Sequence, residues 1–325
     1  MMNNTQEKGP AMSAKISFLA KLAMSASLAL LLFGCEEDRH GYYGDDYTTG
    51  ITDEEALQDI FLADADVEDP DVWQDGSEGI SAAELRSLDE EIEPLAWWRI
   101  GHRERQNVTV EFIDDDHAIL TRVRSFDGSF RLLTELTDDE METIDKPMYN
   151  DLVRRARAVR VDDSPYPRRN WRIEAISAET MESVDPNPNT VHILNVTAIY
   201  ASGDVIVDMD DPLGTYFDRE SLPFVRQGEE VVVFVEVEGN IPAPIGMLRP
   251  NVYRGGRLPR LPLHDDGVAP DATEGDGIYS GSYVAAQRRG LHHIGLDFID
   301  DQTIYDDEAA YDASGWAIPY RVIAD

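Results

Sequence analysis

The stretch with the richest potential chemistry is Leu263-His264-Asp265-Asp266-Gly267-Val268-Ala269-Pro270-Asp271-Ala272-Thr273-Glu274-Gly275-Asp276-Gly277-Ile278-Tyr279-Ser280-Gly281. Asp265, Asp266, Asp271, Glu274 and Asp276 bring five carboxylates together, and oxygen ligands are what a hard cation such as Ca²⁺ takes. The spacing is not that of an EF-hand. Glycines here permit positive φ, and aspartates in such loops accept hydrogen bonds from their own backbone. Two readings therefore stand, a Ca²⁺ loop and a loop whose carboxylates serve its own amides; the second is the simpler expectation. A second acidic run, Asp64 to Gly76, fails as an EF-hand in the register that starts at Asp71, because Trp73 and Ala82 fall at ligand positions three and twelve. A solvated linker is expected there.

Histidine offers less. His292-His293 are neighbours in a strand-like run, so their side chains must point to opposite faces and cannot share a metal. His117 follows Asp114-Asp115-Asp116 in what reads as a turn, where exposure is the expectation. There is no Gly-x-Ser-x-Gly elbow, His-Glu-x-x-His, Walker loop or dinucleotide fingerprint. Asp and Glu are too numerous for any pair to be singled out as a glycosidase couple.

The single cysteine, Cys35, stands at the end of a patterned N-terminus. Lys8, Lys15 and Lys21 precede an apolar run from Leu22 to Phe33, and Gly34-Cys35 ends it. A dozen apolar residues are too few to cross a bilayer, which needs about 20. The order of charged, apolar and small residues is that of an export signal. Leu32-Phe33-Gly34-Cys35 resembles a bacterial lipobox, although Phe33 is bulkier than is usual at its position. The resemblance implies a lipoprotein signal peptide over 1–35, lipidation of Cys35 and anchorage to a lipid bilayer of the cell envelope. Glu36 at the following position leans toward the outer membrane. With no second cysteine, no internal disulfide can form.

The formal net charge is −36, and losing the segment before Cys35 removes three lysines and one acid, leaving about −38. A polyanion of this kind is repelled by nucleic acid and by anionic lipid surfaces. From 36 to 93 the chain carries 21 acidic residues against Arg39 and Arg86. Residues 36–80 read as an acidic, largely disordered tether. It is interrupted by a capping box, Thr52-Asp53-Glu54-Glu55, before the helical face Ala56, Leu57, Ile60 and Phe61. Ser81-Ala82-Ala83-Glu84 repeats the device before Leu85, Leu88 and Ile92, and Pro94 ends that helix.

Residues 81–185 read as an α+β unit. Val108–Phe112, Ala118–Val123 and Phe130–Leu133 alternate like half-buried strands, with Asp114–Asp116 and Asp127-Gly128 as turns of an antiparallel meander. Ala156–Val161 and Trp171–Ile176 follow, on either side of Pro165-Tyr166-Pro167. This helix and curved sheet are similar to the cone-like NTF2 or SnoaL pattern. That resemblance implies a pocket, enzymes among some members, and His102 or His117 beside Asp114–Asp116 as the pair to consider. Arg154, Arg155, Arg157, Arg160, Arg168, Arg169 and Arg172 form the one basic concentration, part of it expected to pair with the acidic neck.

Asp185-Pro186-Asn187-Pro188-Asn189 marks a boundary, and residues 190–325 read almost wholly as strands. Gly228–Gly239 is the strongest of them, and Pro250 implies an edge or bulged position. Seven or so strands fit an Ig-like or fibronectin-like β-sandwich. The Asp265-to-Tyr279 stretch is similar to Asp-Asp-Gly … Gly-Asp-Gly-x-Tyr loops of Ig-like modules in exported, choice-of-anchor-type bacterial proteins. The expectation is a mainly β chain serving as a non-catalytic binding or structural module. Its partners would be the bilayer, through Cys35, and an envelope protein or glycan, with no nucleic acid. No cofactor is expected beyond Ca²⁺. The alternatives are a small-ligand or enzymatic middle unit, and a Ca²⁺-dependent adhesion or assembly module.

Overall fold

Alternating burial along long strands builds this protein. In the computed structural model, residues 49–64, 92, 94–136, 141–240, 243–252 and 260–324 are described. Cys35 with the expected signal, most of the tether, and the expected helix before Pro94 (save Ile92) lie outside them. All described residues belong to one compact unit, and none of its helices is long and apolar enough to cross a membrane.

The neck's capping box forms as expected. Thr52 Oγ1 accepts from Glu55 N at 3.1 Å and Glu55 Oε2 from Thr52 N at 2.8 Å. Two amides that a helix start leaves unsatisfied are thereby paired. The helix that follows, α1 (Asp53–Ala63), buries Ala56, Leu57, Ile60 and Phe61.

The remaining order is β1 (Ala96–Phe112), β2 (His117–Leu136), β3 (Met141–Arg160), α2 (Pro167–Asn170), β4 (Trp171–Ser183), β5 (His192–Tyr200), β6 (Val205–Met209), β7 (Tyr216–Asp218), β8 (Phe224–Arg226), β9 (Glu230–Glu238), β10 (Ile245–Val252), β11 (Leu261–Leu263), β12 (Ile278–Val284), β13 (Gly290–Ile299), α3 (Asp301–Tyr305) and β14 (Ala313–Ile323). The chain is mainly β, in open sheets that are antiparallel except where β8 runs parallel to β14. A ten-stranded sheet has the order β1-β2-β3-β4-β14-β13-β10-β11, with β7 on β4 and β8 on β14; a four-stranded sheet has the order β12-β9-β5-β6.

Strand alternation divides the large sheet into two faces. Ile294, Leu296, Phe298, Trp316, Ile318 and Tyr320 pack against Val196, Val231, Val233, Val235 and Tyr279 of the small sheet. The two sheets thus share one apolar core, with β9 alternating as its Val/Glu sequence predicts. On the far face, α1 lays Leu57, Ile60 and Phe61 over Val108, Leu120, Ala156, Ala158 and Ile173. A third cluster joins Trp97, Phe130, Met148, Met181, Met247, Ile304 and Tyr311.

Three features differ from the sequence reading. Asp127-Gly128 is not a turn: β2 runs straight through it, pairing with Arg103 and Gly101 on one side and Tyr149 and Met148 on the other. The glycine serves a close backbone approach, since a Cβ there would lie 2.1 Å from Ile100 O. Past Pro165-Tyr166-Pro167 the chain makes a short helix, α2, with Pro at its start, where a missing amide proton costs nothing. At Asp185–Asn189, hydrogen bonding carries on across the expected boundary, because β4 just before it pairs with β14 at the chain's end. The turn Asp114–Asp116 and an irregularity at Pro250 occur where expected; the β10–β13 register shifts between Arg249 and Val252.

Removal of a buried aromatic from α1 tests this packing. Phe61→Ala is expected to lower unfolding free energy by about 3–5 kcal/mol, read by urea denaturation. Its neighbour Leu62 is 44% exposed, and Leu62→Ala should stay within about 0.5 kcal/mol of wild type.

Candidate functional site

Two places concentrate chemistry, one expected and one not. In the expected loop between β11 and β12, Asp265, Asp271 and Asp276 each bring a carboxylate oxygen to within 4.8 Å of the others. Asp266 and Glu274 are not part of that trio. The loop is shaped by glycines at positive φ, +69° at Gly267 and +82° at Gly277.

Backbone amides already address these carboxylates. Asp265 accepts from Gly275 N (2.7 Å), Asp276 N (3.2 Å) and Gly277 N (2.9 Å). Asp271 accepts from Gly267 N (2.5 Å) and Thr273 N (3.2 Å), and these bonds outweigh desolvation to hold its carboxyl below the usual range. Asp266 accepts from Val268 N and Asp276 from Ile278 N. Both roles anticipated for the loop use the same oxygens.

The unexpected place is the face of the large sheet turned away from the small one. Arg99 on β1 forms a two-pronged bond to Asp297 on β13, at 2.6 and 2.7 Å, and its Nε donates to Tyr311 OH at 2.8 Å. Arg249 on β10 adds a third bond to Asp297 at 2.9 Å. Asn150 Nδ2 donates to the same Tyr311 hydroxyl, and Ser183 Oγ to Asn150 Oδ1. Burial alone would raise the Asp297 carboxyl, but Arg99, with Arg249 and Arg260, holds it well below the carboxylate range.

A second knot centres on Glu179 of β4. Arg122 Nη2 lies 3.1 Å from it, Arg124 Nη2 3.7 Å and Arg154 Nε 3.9 Å, all on buried or nearly buried side chains. Beside it His293 is buried, and its Nε2 has no hydrogen-bond partner. Burial first, then the charge of Arg154, pushes this imidazole well below its ordinary 6.5. His292, on the opposite face as expected, sets its ring against Tyr320 and its Nε2 2.7 Å from Arg288 O.

The histidines suggested by the cone-like resemblance are not brought to either place. His102 is exposed on β1. His117 is exposed at the start of β2, its Nδ1 2.8 Å from Asp114 Oδ1; that bond raises the imidazole, while the Asp116 amide first and then His117 lower the Asp114 carboxyl. The arginine concentration divides as expected: Arg154 points inward, while Arg160 and Arg168 pair with Asp53 and Asp59 of α1. Sequence reasoning missed the inner knots because each arginine sits in an alternating strand that looks solvated on that side. The signal was Asp297, a lone acid inside the apolar run Ile294-Gly295-Leu296-Asp297-Phe298-Ile299.

Breaking one partner of a buried pair strands the other charge. Asp297→Leu, which leaves both Arg99 and Arg249 buried without their carboxylate, is expected to cost about 3–5 kcal/mol by chemical denaturation, more than Arg99→Met, which leaves Asp297 its bond to Arg249. His293 has the opposite sign of a salt-bridged histidine. Its folded value lies below 6.5, so the unfolded chain binds the extra proton in the window beneath 6.5. Its contribution is therefore complete above that pH and lost as pH falls through it. Denaturation curves between pH 7.5 and 5 should show a steeper loss for wild type than for His293→Leu. No protein-family model, curated protein or solved structure matches this chain.

Proposed function

We propose that the chain is an envelope lipoprotein, anchored to a bilayer through Cys35, that acts as a non-catalytic binding or structural module. In this reading its body presents an Ig-like or fibronectin-like sandwich to another envelope component, a protein or a glycan, and the outer membrane is its address. The anchor rests on the order Lys8, Lys15, Lys21, the apolar run and Gly34-Cys35. The binding role rests on one observation. Among the described residues, both faces of the large sheet carry packing, the small sheet on one side and α1 with the inner ion pairs on the other. His102 and His117, the residues an enzymatic middle unit would use, stand on the outer surface instead. A body with both faces of its large sheet covered suits presentation of a surface better than turnover of a substrate.

A second reading, a Ca²⁺-dependent adhesion or assembly module, is favoured by the convergence of Asp265, Asp271 and Asp276. Such a loop would sit at one end of the small sheet, beside β12, where a cation would stiffen a contact surface.

Labelled palmitate fed to expressing cells checks the anchor. The wild-type chain should take up label and fractionate with membranes, while Cys35→Ala should take up none and lose that fractionation. Equal label in both, or none in either, would overturn the lipoprotein reading.

A further inference from the structure

Strand β9 carries an apolar run, Val231-Val232-Val233-Phe234-Val235, before its Val/Glu alternation begins. Side chains along a strand alternate between faces. Val231, Val233 and Val235 enter the core shared with the large sheet, which puts Val232 and Phe234 on the outer face of the small sheet. A strand with one solvated face reads as apolar and polar in turn, whereas a continuous apolar run belongs to a strand covered on both faces. Here Val232 and Phe234 are only half-buried and join no core cluster. Among the described residues their face is open.

Register extends this patch across the sheet. Ile199 of β5 lies opposite Val232, and Val205 of β6 lies opposite Ile199. On β12, Ile278 and Val284 pair with Glu236 and Glu230, which sets them diagonal to Phe234 and Val232. Val205 and Val284 are 61% and 59% exposed. Opposed side chains on one face lie ~5 Å apart and diagonal ones ~7–8 Å, so these residues make one surface and not scattered exposures. A continuous exposed apolar surface marks a contact site.

Charge states what fits it. The four strands of the small sheet contain no lysine or arginine. Glu230, Glu236 and Glu238 of β9 and Asp208 of β6 are exposed and stand on the same outer face, around the apolar residues. A second copy of the chain would set acid against acid, which opposes association. A partner whose own apolar patch is bordered by lysines or arginines buries the apolar side chains and pairs the rim. The chain's net charge of −36 draws such a partner in from a distance.

We infer that the outer face of the small sheet, centred on Val232, Phe234 and Ile199, is a docking surface for a protein with an apolar patch rimmed by basic residues. The inference rests on the binding-module reading and gives that role its surface.

The test places the photo-reactive residue p-benzoylphenylalanine at Val205 or Val284 of the full-length chain and, away from this face, at Leu62 or Phe112, both exposed. The chain is irradiated in its own washed envelopes. One protein adduct, the same from Val205 and Val284, is expected, with none from Leu62 or Phe112. It should be lost with Phe234→Asp and with Glu230→Lys combined with Glu236→Lys. It should also weaken between roughly 0.1 and roughly 1 M salt, as the Debye length falls from about 10 to about 3 Å. Should Phe234→Asp not fold, Val205→Asp at its exposed position disrupts the same patch and is read from Val284. An adduct that survives either the apolar or the charge change overturns the inference, as does a cross-link between two copies of the chain or an adduct to lipid or glycan alone. Adducts from Leu62 or Phe112 only overturn it and leave the binding-module reading in place, while no adduct from any position overturns both.

Discussion

The shape of the large sheet hangs on the bond between Arg99 and Asp297. β1 and β13 are five strand positions apart in the sheet order. In a flat sheet, at about 4.8 Å per step, they would be some ~24 Å distant, far beyond the reach of one side chain. Yet the guanidinium lies 2.6 Å from the carboxylate, so the sheet must fold over on itself. Its means of bending are in the strands. Natural twist accumulates across neighbours, and register shifts at Gly101/Arg103 in β1 and at Arg154/Ala156 and Arg157/Ala158 between β3 and β4 add local bends. The Arg260 guanidinium lies over the Trp97 ring at 4.2 Å and gives a second tie across the same gap.

A buried ion pair is a poor source of net stability, because desolvating both ions offsets much of their attraction. What the Arg99 fork contributes is geometry: two parallel bonds to one carboxylate fix angle as well as distance. The apolar clusters supply the energy, and the charges select which curvature that energy stabilises. The same division holds for α1. Leu57, Ile60 and Phe61 bury their side chains, while Asp53–Arg160, Asp59–Arg168 and Asp64–Arg219 lie at its borders. The more exposed pairs at Asp53 and Asp59 add little energy, but together with the buried Asp64 they leave the helix a single direction of approach.

How legible this was depended on how local the cause is. The α1 helix was readable from Thr52 and Glu55 because a capping box is complete within four residues. The alternation of β9 was readable because Val and Glu report the two faces of a single strand. Asp127-Gly128 was misread because a turn and a close strand approach ask for the same residue, and only Ile100 on the partner strand tells them apart. The knot around Glu179 was invisible for a related reason. Arg122, Arg124 and Arg154 come from two other strands, and nothing in their own segments distinguishes an inward arginine from a solvated one. The loop trio lies between: Asp265, Asp271 and Asp276 were named in advance, but which three of five converge was decided by the turns at Gly267 and Gly277.

Charge balance links interior to exterior. With 28 basic residues against 64 acidic ones, positive charge is the scarce component, and the fold draws several arginines inward, to Glu179 and Asp297. Burial takes in acids as well as bases, so the outer surface keeps the strongly negative balance of the composition. Such a surface resists approach to anionic lipid, since repulsion falls away only beyond roughly a Debye length of 8–10 Å. A body of this kind gains nothing from electrostatic adsorption to a bilayer. Attachment there needs a hydrophobic anchor, and a run of acidic residues between anchor and body then acts in the same direction as the body's own field, holding it off the membrane. The proposed lipid on Cys35 and the acidic neck are in this sense two consequences of one charge distribution.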